Sequence, residues 1–159
     1  MDIGFYLLDV DSGNEHQSNI ISSINDLCSD LPYANIVLFN NQFAKVDINH
    51  KYYMLHIKEA KYFDGLLFVF DTKSAMLTQT FPSPKKQIFH VSKPEWALNS
   101  NMPYGFWHNI YMKDNVEIIT DNIETYDLMS ICWKEPISLM PKINSKGIKD
   151  VVRKLQESK

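Results

Sequence analysis

Residues 63–91, FDGLLFVFDTKSAMLTQTFPSPKKQIFHV, constrain this chain more than any other stretch. An apolar run is followed by a polar turn, a short helical stretch, a Pro-rich stop and a second apolar run. Runs rich in Phe, Val, Leu and Ile bounded by turn residues read as strands. Two strands joined by a helix at this separation pair in parallel, with a right-handed crossover. The unit is β-α-β, so the chain belongs with the α/β folds.

The rest of the sequence extends that pattern. Ile3 to Leu8 is a buried strand closed by Asp, Ser, Gly and Asn. From Glu15 to Leu31 the residues Ile20, Ile21, Ile24, Leu27, Cys28 and Leu31 recur at three- and four-residue steps, which predicts a helix with one apolar stripe, ended by Pro32. NIVLFNN (35–41) and YYMLHI (52–57) are strand-like, and the alternating KVDIN (45–49) between them suits a hairpin arm or an edge strand. VEIIT (116–120) is a further strand, and DNIETYDLMSIC (121–132) a helix opened by an Asp121-x-x-Glu124 capping box. Ile148, Val151, Val152 and Leu155 mark a terminal helix with Ser145 as its N-cap. The expectation is a single α/β domain over residues 1–159, with a mostly parallel, Rossmann-like sheet of five to six strands flanked by helices.

Composition removes several classes of function. The net charge is -3 and the basic residues are scattered, with only short groups such as Lys85-Lys86, so the footprint of a general nucleic-acid binder is missing. The longest clean apolar run, Leu66 to Phe70, falls far short of the roughly 20 residues that span a bilayer. An acidic residue stands near the start, where a signal peptide carries basic ones. Cys28 and Cys132 form no CxxC pair, which suits reduced thiols and a cytoplasmic location. His16, His50, His56, His90 and His108 have no metal-ligand spacing, and no metal site is expected. GxSxG, P-loop and GxGxxG signatures are missing, so no cofactor is expected either.

Ligands of open parallel sheets sit beyond the carboxyl ends of the strands. The predicted strand tips are Asp9 to Ser12, Asn40-Asn41, Asp71 to Ser74, Ser92-Lys93 and Thr120 to Asn122, and all are polar. They supply Asp9, Asp11, Asp71, Thr72, Ser92, Thr120 and Asp121 as candidate ligand contacts. Asp9, Asp71 and His90 are candidate catalytic groups, His90 because an imidazole near a strand end can titrate near neutrality. Each tip also precedes a helix, where Asp, Ser, Thr and Asn act as caps worth about 1 kcal/mol each. The stretch 93–112 gathers Trp96, Tyr104, Phe106, Trp107, His108 and Tyr111 in what reads as one long loop. Trp96 and Trp107 could stack on a sugar or base; the same aromatics could contact a second copy or a partner subunit, or pin the loop to the sheet.

Three resemblances bear on function. LLDVDSG (7–13) resembles the opening DxD of haloacid dehalogenase-like phosphatases, although Ser12-Gly13 stands where that family has Gly-Thr. Asp71 occupies a position similar to the acceptor aspartate of receiver domains, with WKEP (133–136) only approximating their Lys-Pro step. The succession of DGLLFVFD, TKSAML, KKQIFHV, an aromatic segment, VEIITDN and EPISLMP, from Phe63 to Pro141, resembles the N-terminal Rossmann-like half of GT-B glycosyltransferases. That resemblance implies a domain binding a sugar or nucleotide-like ligand at the strand tips. In that family a second Rossmann half holds most of the nucleotide-sugar donor, and 159 residues cannot include it. The implied protein is then an isolated half that binds an acceptor, associates with another subunit or lacks catalysis. The alternatives are a non-catalytic interaction module and aspartate-based phosphotransfer.

Overall fold

The structure, a computed structural model, describes residues 1–8, 15–41, 50–82, 86–98 and 101–157, with the side chain of His16 outside this set. The strands are β1 (Asp2–Tyr6), β2 (Asn35–Asn40), β3 (Tyr53–His56), β4 (Leu66–Val69), β5 (Lys86–Val91), β6 (Val116–Thr120) and β7 (Ser138–Leu139). They form one 7-stranded sheet in the order β3-β2-β1-β4-β5-β6-β7. Every neighbouring pair is parallel. The first six strands have the order of a doubly wound dinucleotide-binding sheet. The fold class is α/β and Rossmann-like.

A parallel sheet is covered on both sides, so its strands are near-continuous apolar runs while successive side chains still alternate between faces. Ile3, Phe5, Ile36, Leu38, Phe68, Ile88 and Ile119 point to one face, which we call the first. There they meet α1 (Glu15–Asp30) through Ile20, Ile24 and Leu27, and α6 (Ser145–Glu157) through Ile148, Val151 and Val152. Tyr6, Val37, Phe39, Leu67, Val69, Phe89, Val91 and Ile118 point to the second face. It is covered by a 3-10 turn (Ile57–Tyr62) and by α2 (Thr72–Thr78), α4 (Tyr104–Tyr111) and α5 (Ile123–Cys132). Gly4, in the middle of β1, lets this second layer approach. A Cβ there would lie 2.8 Å from the Phe63 ring and 3.0 Å from the Phe39 ring, which pack edge to face 5.3 Å apart.

Several elements differ from expectation for identifiable reasons. The sheet has seven strands rather than five to six; β7 is only two residues long, too short for a patterned run. Residues 93–112 include two helices, α3 (Glu95–Leu98) and α4, in place of one loop. Trp107, Ile110 and Tyr111 have helical spacing and are the buried residues of α4, so an amphipathic helix lay hidden in an aromatic-rich composition. The cap of α5 is Asn122, whose side chain accepts from the Thr125 N–H, one residue after the expected Asp121. Ser145 is already helical. Asn144 accepts from the Gly147 N–H at 2.8 Å, and the Ser145 hydroxyl donates to Asp30. The expected arm at 45–49 lies outside the described residues.

Asp30 ties α1 to α6. Its carboxylate accepts from the Ser145 hydroxyl and from the Lys149 ammonium at 3.0 Å. These donors, Ser145 first and then Lys149, favour the ionised form and hold the carboxyl below its ordinary range. A folded-state value below the unfolded one adds stability above the unfolded value, near pH 4, and that stability is lost as pH falls through the folded value. Asp30→Asn therefore lowers the denaturation midpoint at neutral pH. The difference from wild type shrinks as both proteins are taken below about pH 4, as urea melts across pH will show.

Candidate ligand-binding crevice

Because the strands are parallel, their carboxyl ends share one edge. Chain order reverses between β1 and β4, so the helix after β1 covers the first face and the helix after β4 the second. Loops part at such a junction and leave a crevice. On the first face this edge carries a crevice of about 500 Å³ lined by Glu15, Asn19, Ser22 and Ser23 of α1, His90 of β5, Asp121 beyond β6, and residues 141–144 after β7. The volume lies within the range of small-molecule sites. Positions 15, 19, 22 and 23 fall on one side of a helix, so α1 presents a continuous polar wall.

Of the residues singled out from the sequence, the crevice brings together His90 and Asp121. His90 is 3% exposed, alternates with Phe89 and Val91 toward the first face, and its ring lies 6.1 Å from that of Phe70. Asp121 accepts from Asn122 Nδ2 at 2.6 Å, and the same amide donates to the Ser92 carbonyl at 3.3 Å. One amide thus steadies the tips of β5 and β6 together. Ser23 closes the other wall, its hydroxyl lying 2.7 Å from the Asn19 carbonyl and 2.8 Å from that of Ile143.

Asp71 is occupied by capping. Its two carboxylate oxygens accept from the Ser74 N–H at 2.8 Å and the Ser74 hydroxyl at 2.6 Å, closing the first turn of α2. Its charge also reaches Tyr6, whose phenol is pushed above its ordinary range by burial first and by Asp71 second. The Thr72 hydroxyl donates to Glu95, linking the segments after β4 and β5. Asp9 and Asp11 lie outside the described residues.

Trp96, Trp107 and Thr120 belong to the second face. Trp107 is 4% exposed and stacks on Tyr111 at 6.1 Å. Trp96 meets Tyr111 and Trp133 edge to face at 5.4 and 6.0 Å. These rings pack on each other and on the sheet, so they do not form a platform over the crevice. Burial and the nearby Glu95 hold the Tyr111 phenol neutral by raising its titration far above the ordinary range. Thr120 Oγ1, Trp107 Nε1, Trp133 Nε1 and the Tyr111 hydroxyl are buried with no hydrogen-bond partner among the described residues.

Glu15, Asn19, Ser22, Ser23, Lys142 and Asn144 line the crevice without having been expected there. The α1 residues carried a usable signal, since the polar side of a helix opening at a strand tip borders any site at that edge. Lys142 and Asn144 carried none, because their approach depends on β7 being a parallel strand. A second cleft, about 650 Å³, lies at the amino edge between Asp2, Gly65, Leu66, Lys86, Glu117 and Leu155. There Glu117 is held between Lys86 at 2.7 Å and Lys134 at 3.4 Å, so one carboxylate engages two ammonium groups. Among the described residues no cluster of His, Cys, Asp or Glu is arranged to hold a metal ion, and no helix is long and apolar enough to cross a membrane.

Asp71→Ala should lower stability by about 1 kcal/mol, the usual value of a lost N-cap, without disturbing the residues that line the crevice; chemical denaturation and nitrogen–proton correlation spectra check the two expectations separately. No protein-family model, curated protein or solved structure matches the chain.

Proposed function

We propose that this chain is a Rossmann-like ligand-binding domain, similar to one half of a GT-B glycosyltransferase, that takes a sugar or nucleotide-like molecule at the carboxyl edge of its sheet. The observation that carries the reading is the polar crevice on the first face, at the edge where doubly wound sheets bind ligands. Hydroxyl-rich ligands are recognised by converging carboxylates, amides and hydroxyls, and Asp121, Glu15, Asn19 and Ser22 supply these types from two walls. His90 is the acid/base candidate, since among the described residues it is the imidazole that lines the crevice. Phosphotransfer at Asp71 is disfavoured because both carboxylate oxygens are committed to α2. Nitrogen–proton correlation spectra recorded during titration with nucleotides, nucleotide sugars and simple saccharides should show saturable shifts at Asn19, Ser22, Asp121 and Lys142. Absence of such shifts with every ligand, or shifts confined to another surface, would sink the reading.

One observation favours an interaction module as the second reading. Helix α5 carries apolar side chains outward: Ile123 is 57%, Leu128 41% and Ile131 81% exposed, and positions 128 and 131 lie one turn apart on the same side of the helix. Contiguous exposed apolar residues mark contact surfaces, and a second copy of the chain is the simplest occupant. Sedimentation equilibrium should then show a concentration-dependent dimer that Ile131→Asp abolishes; a monomer at all concentrations removes this reading.

A further inference from the structure

We propose that the cleft of about 650 Å³ at the amino edge of the sheet is a second binding site, one that takes a small uncharged molecule with an apolar body. It lies at the opposite end of the strands from the carboxyl-edge crevice and does not depend on the reading of that crevice. Its volume is within the range of cavities that enclose small molecules, and such cavities combine an apolar lining with a few fixed polar groups.

The apolar lining is an uncovered end of the first-face core. Leu66, Ile137 and Leu155 pack against that core, yet each is only half-buried and lines the cleft. They are apolar surface left in contact with water, and a ligand that covers them gains from the hydrophobic effect.

Regular structure sets the walls. Asp2 belongs to β1, Lys86 to β5, Glu117 to β6, and Leu155 and Gln156 to the last turn of α6. Ile137 is held at both backbone groups: its N–H donates to the Ile118 carbonyl at 2.8 Å, and its carbonyl accepts from the Lys154 ammonium at 2.8 Å. Gly65, just before β4, lies against β1 so closely that a Cβ would collide with the Asp2 carbonyl oxygen. The cleft is preformed, so little ordering is lost on binding.

Charge decides the class of ligand. Glu117 accepts from Lys86 at 2.7 Å and pairs with Lys134 at 3.4 Å. Lys86 also donates to the Asp114 carbonyl at 3.1 Å, and Lys134 to the Val116 carbonyl at 2.7 Å. The Asp2 carboxylate accepts from the Asn35 amide at 2.8 Å. Asp64 is exposed, and water screens its charge. A ligand carboxylate or ammonium would leave water for a site whose matching groups already have partners, so its desolvation would go uncompensated. A neutral apolar body meets no such cost. One hydroxyl or carbonyl on it is served by Gln156, whose amide both donates and accepts.

The test is a titration of the full chain followed by methyl and amide correlation spectra. Three probes share one hydrocarbon chain and differ in charge: 1-octanol, octanoate and octylamine. A fourth, 2-naphthol, supplies a neutral ring. Saturable shifts are expected at the methyl groups of Leu66, Ile137 and Leu155. A neutral probe should bind about tenfold tighter than octanoate or octylamine, with an affinity insensitive to salt. Gln156→Trp, at an exposed position of α6, fills the cleft with an indole and should weaken the neutral probe by about tenfold. Leu155→Ala removes part of the apolar lining and should weaken it as well, with urea melts recording any change in stability.

Absence of saturable shifts at the cleft with all four probes overturns the proposal, as does equal or tighter binding of a charged probe there. Unchanged affinity of the neutral probe in both variants also overturns it. Shifts confined to the amides of Asn19 and Asp121 overturn it too, while leaving the reading of the carboxyl-edge crevice untouched.

Discussion

The pairing of β1 with β4 is the interaction on which the rest of the structure depends. Phe5 and Phe68 are opposite each other in register and stack with centroids 5.2 Å apart, and Phe70 extends the stack 6.4 Å from Phe5. This pair joins the first winding unit, β1 to β3, to the second, β4 to β7. Chain direction across the sheet reverses there, so α1 and α2 must leave on opposite faces. Both the open crevice and the separation of the polar and aromatic residues onto different faces follow from that reversal.

The two faces consequently do different work at the carboxyl edge. On the first, α1 and the segment after β7 hold polar side chains around His90 and Asp121, with Ser23 and Asn122 fixing the walls. On the second, the space above β5 and β6 is filled by Tyr111, Trp96, Trp107 and Trp133 in mutual ring contact. Aromatic rings at these separations gain from edge and offset packing as well as from burial, so this half is built as core. The polar heads of Trp107, Tyr111 and Trp133 without partners among the described residues reduce that gain, because a buried donor left unmatched costs free energy.

Local chemistry is what made the sequence legible. Ile20, Ile24 and Leu27 recur with the period of a helix and are buried on one side of α1; Ile148, Val151 and Val152 do the same in α6. The apolar runs at 66–70 and 86–91 became neighbouring parallel strands, as a β-α-β unit requires. Where composition masked periodicity, the reading of the sequence missed: the aromatic content of 93–112 suggested a loop, while Trp107, Ile110 and Tyr111 held a helical spacing throughout. Asp71 could be recognised as a polar strand tip, yet contact and cap look alike in one dimension. The two bonds from Ser74 distinguish them.

The sequence by itself determined the class of fold, the parallel direction of the strands and the edge at which polar residues gather, because hydrophobic period and turn chemistry act over a few neighbouring residues. Only the tertiary structure decided which tip residues meet. His90 and Asp121 share a crevice with Asn19 and Lys142, whereas Trp107 and Thr120 point to the other side of the same sheet. That partition depends on the alternation of side chains along each strand combined with strand order. A one-residue difference in position changes the face, and strand order brings residues more than 100 positions apart into one wall, as Ser23 and Ile143 show across 120 residues.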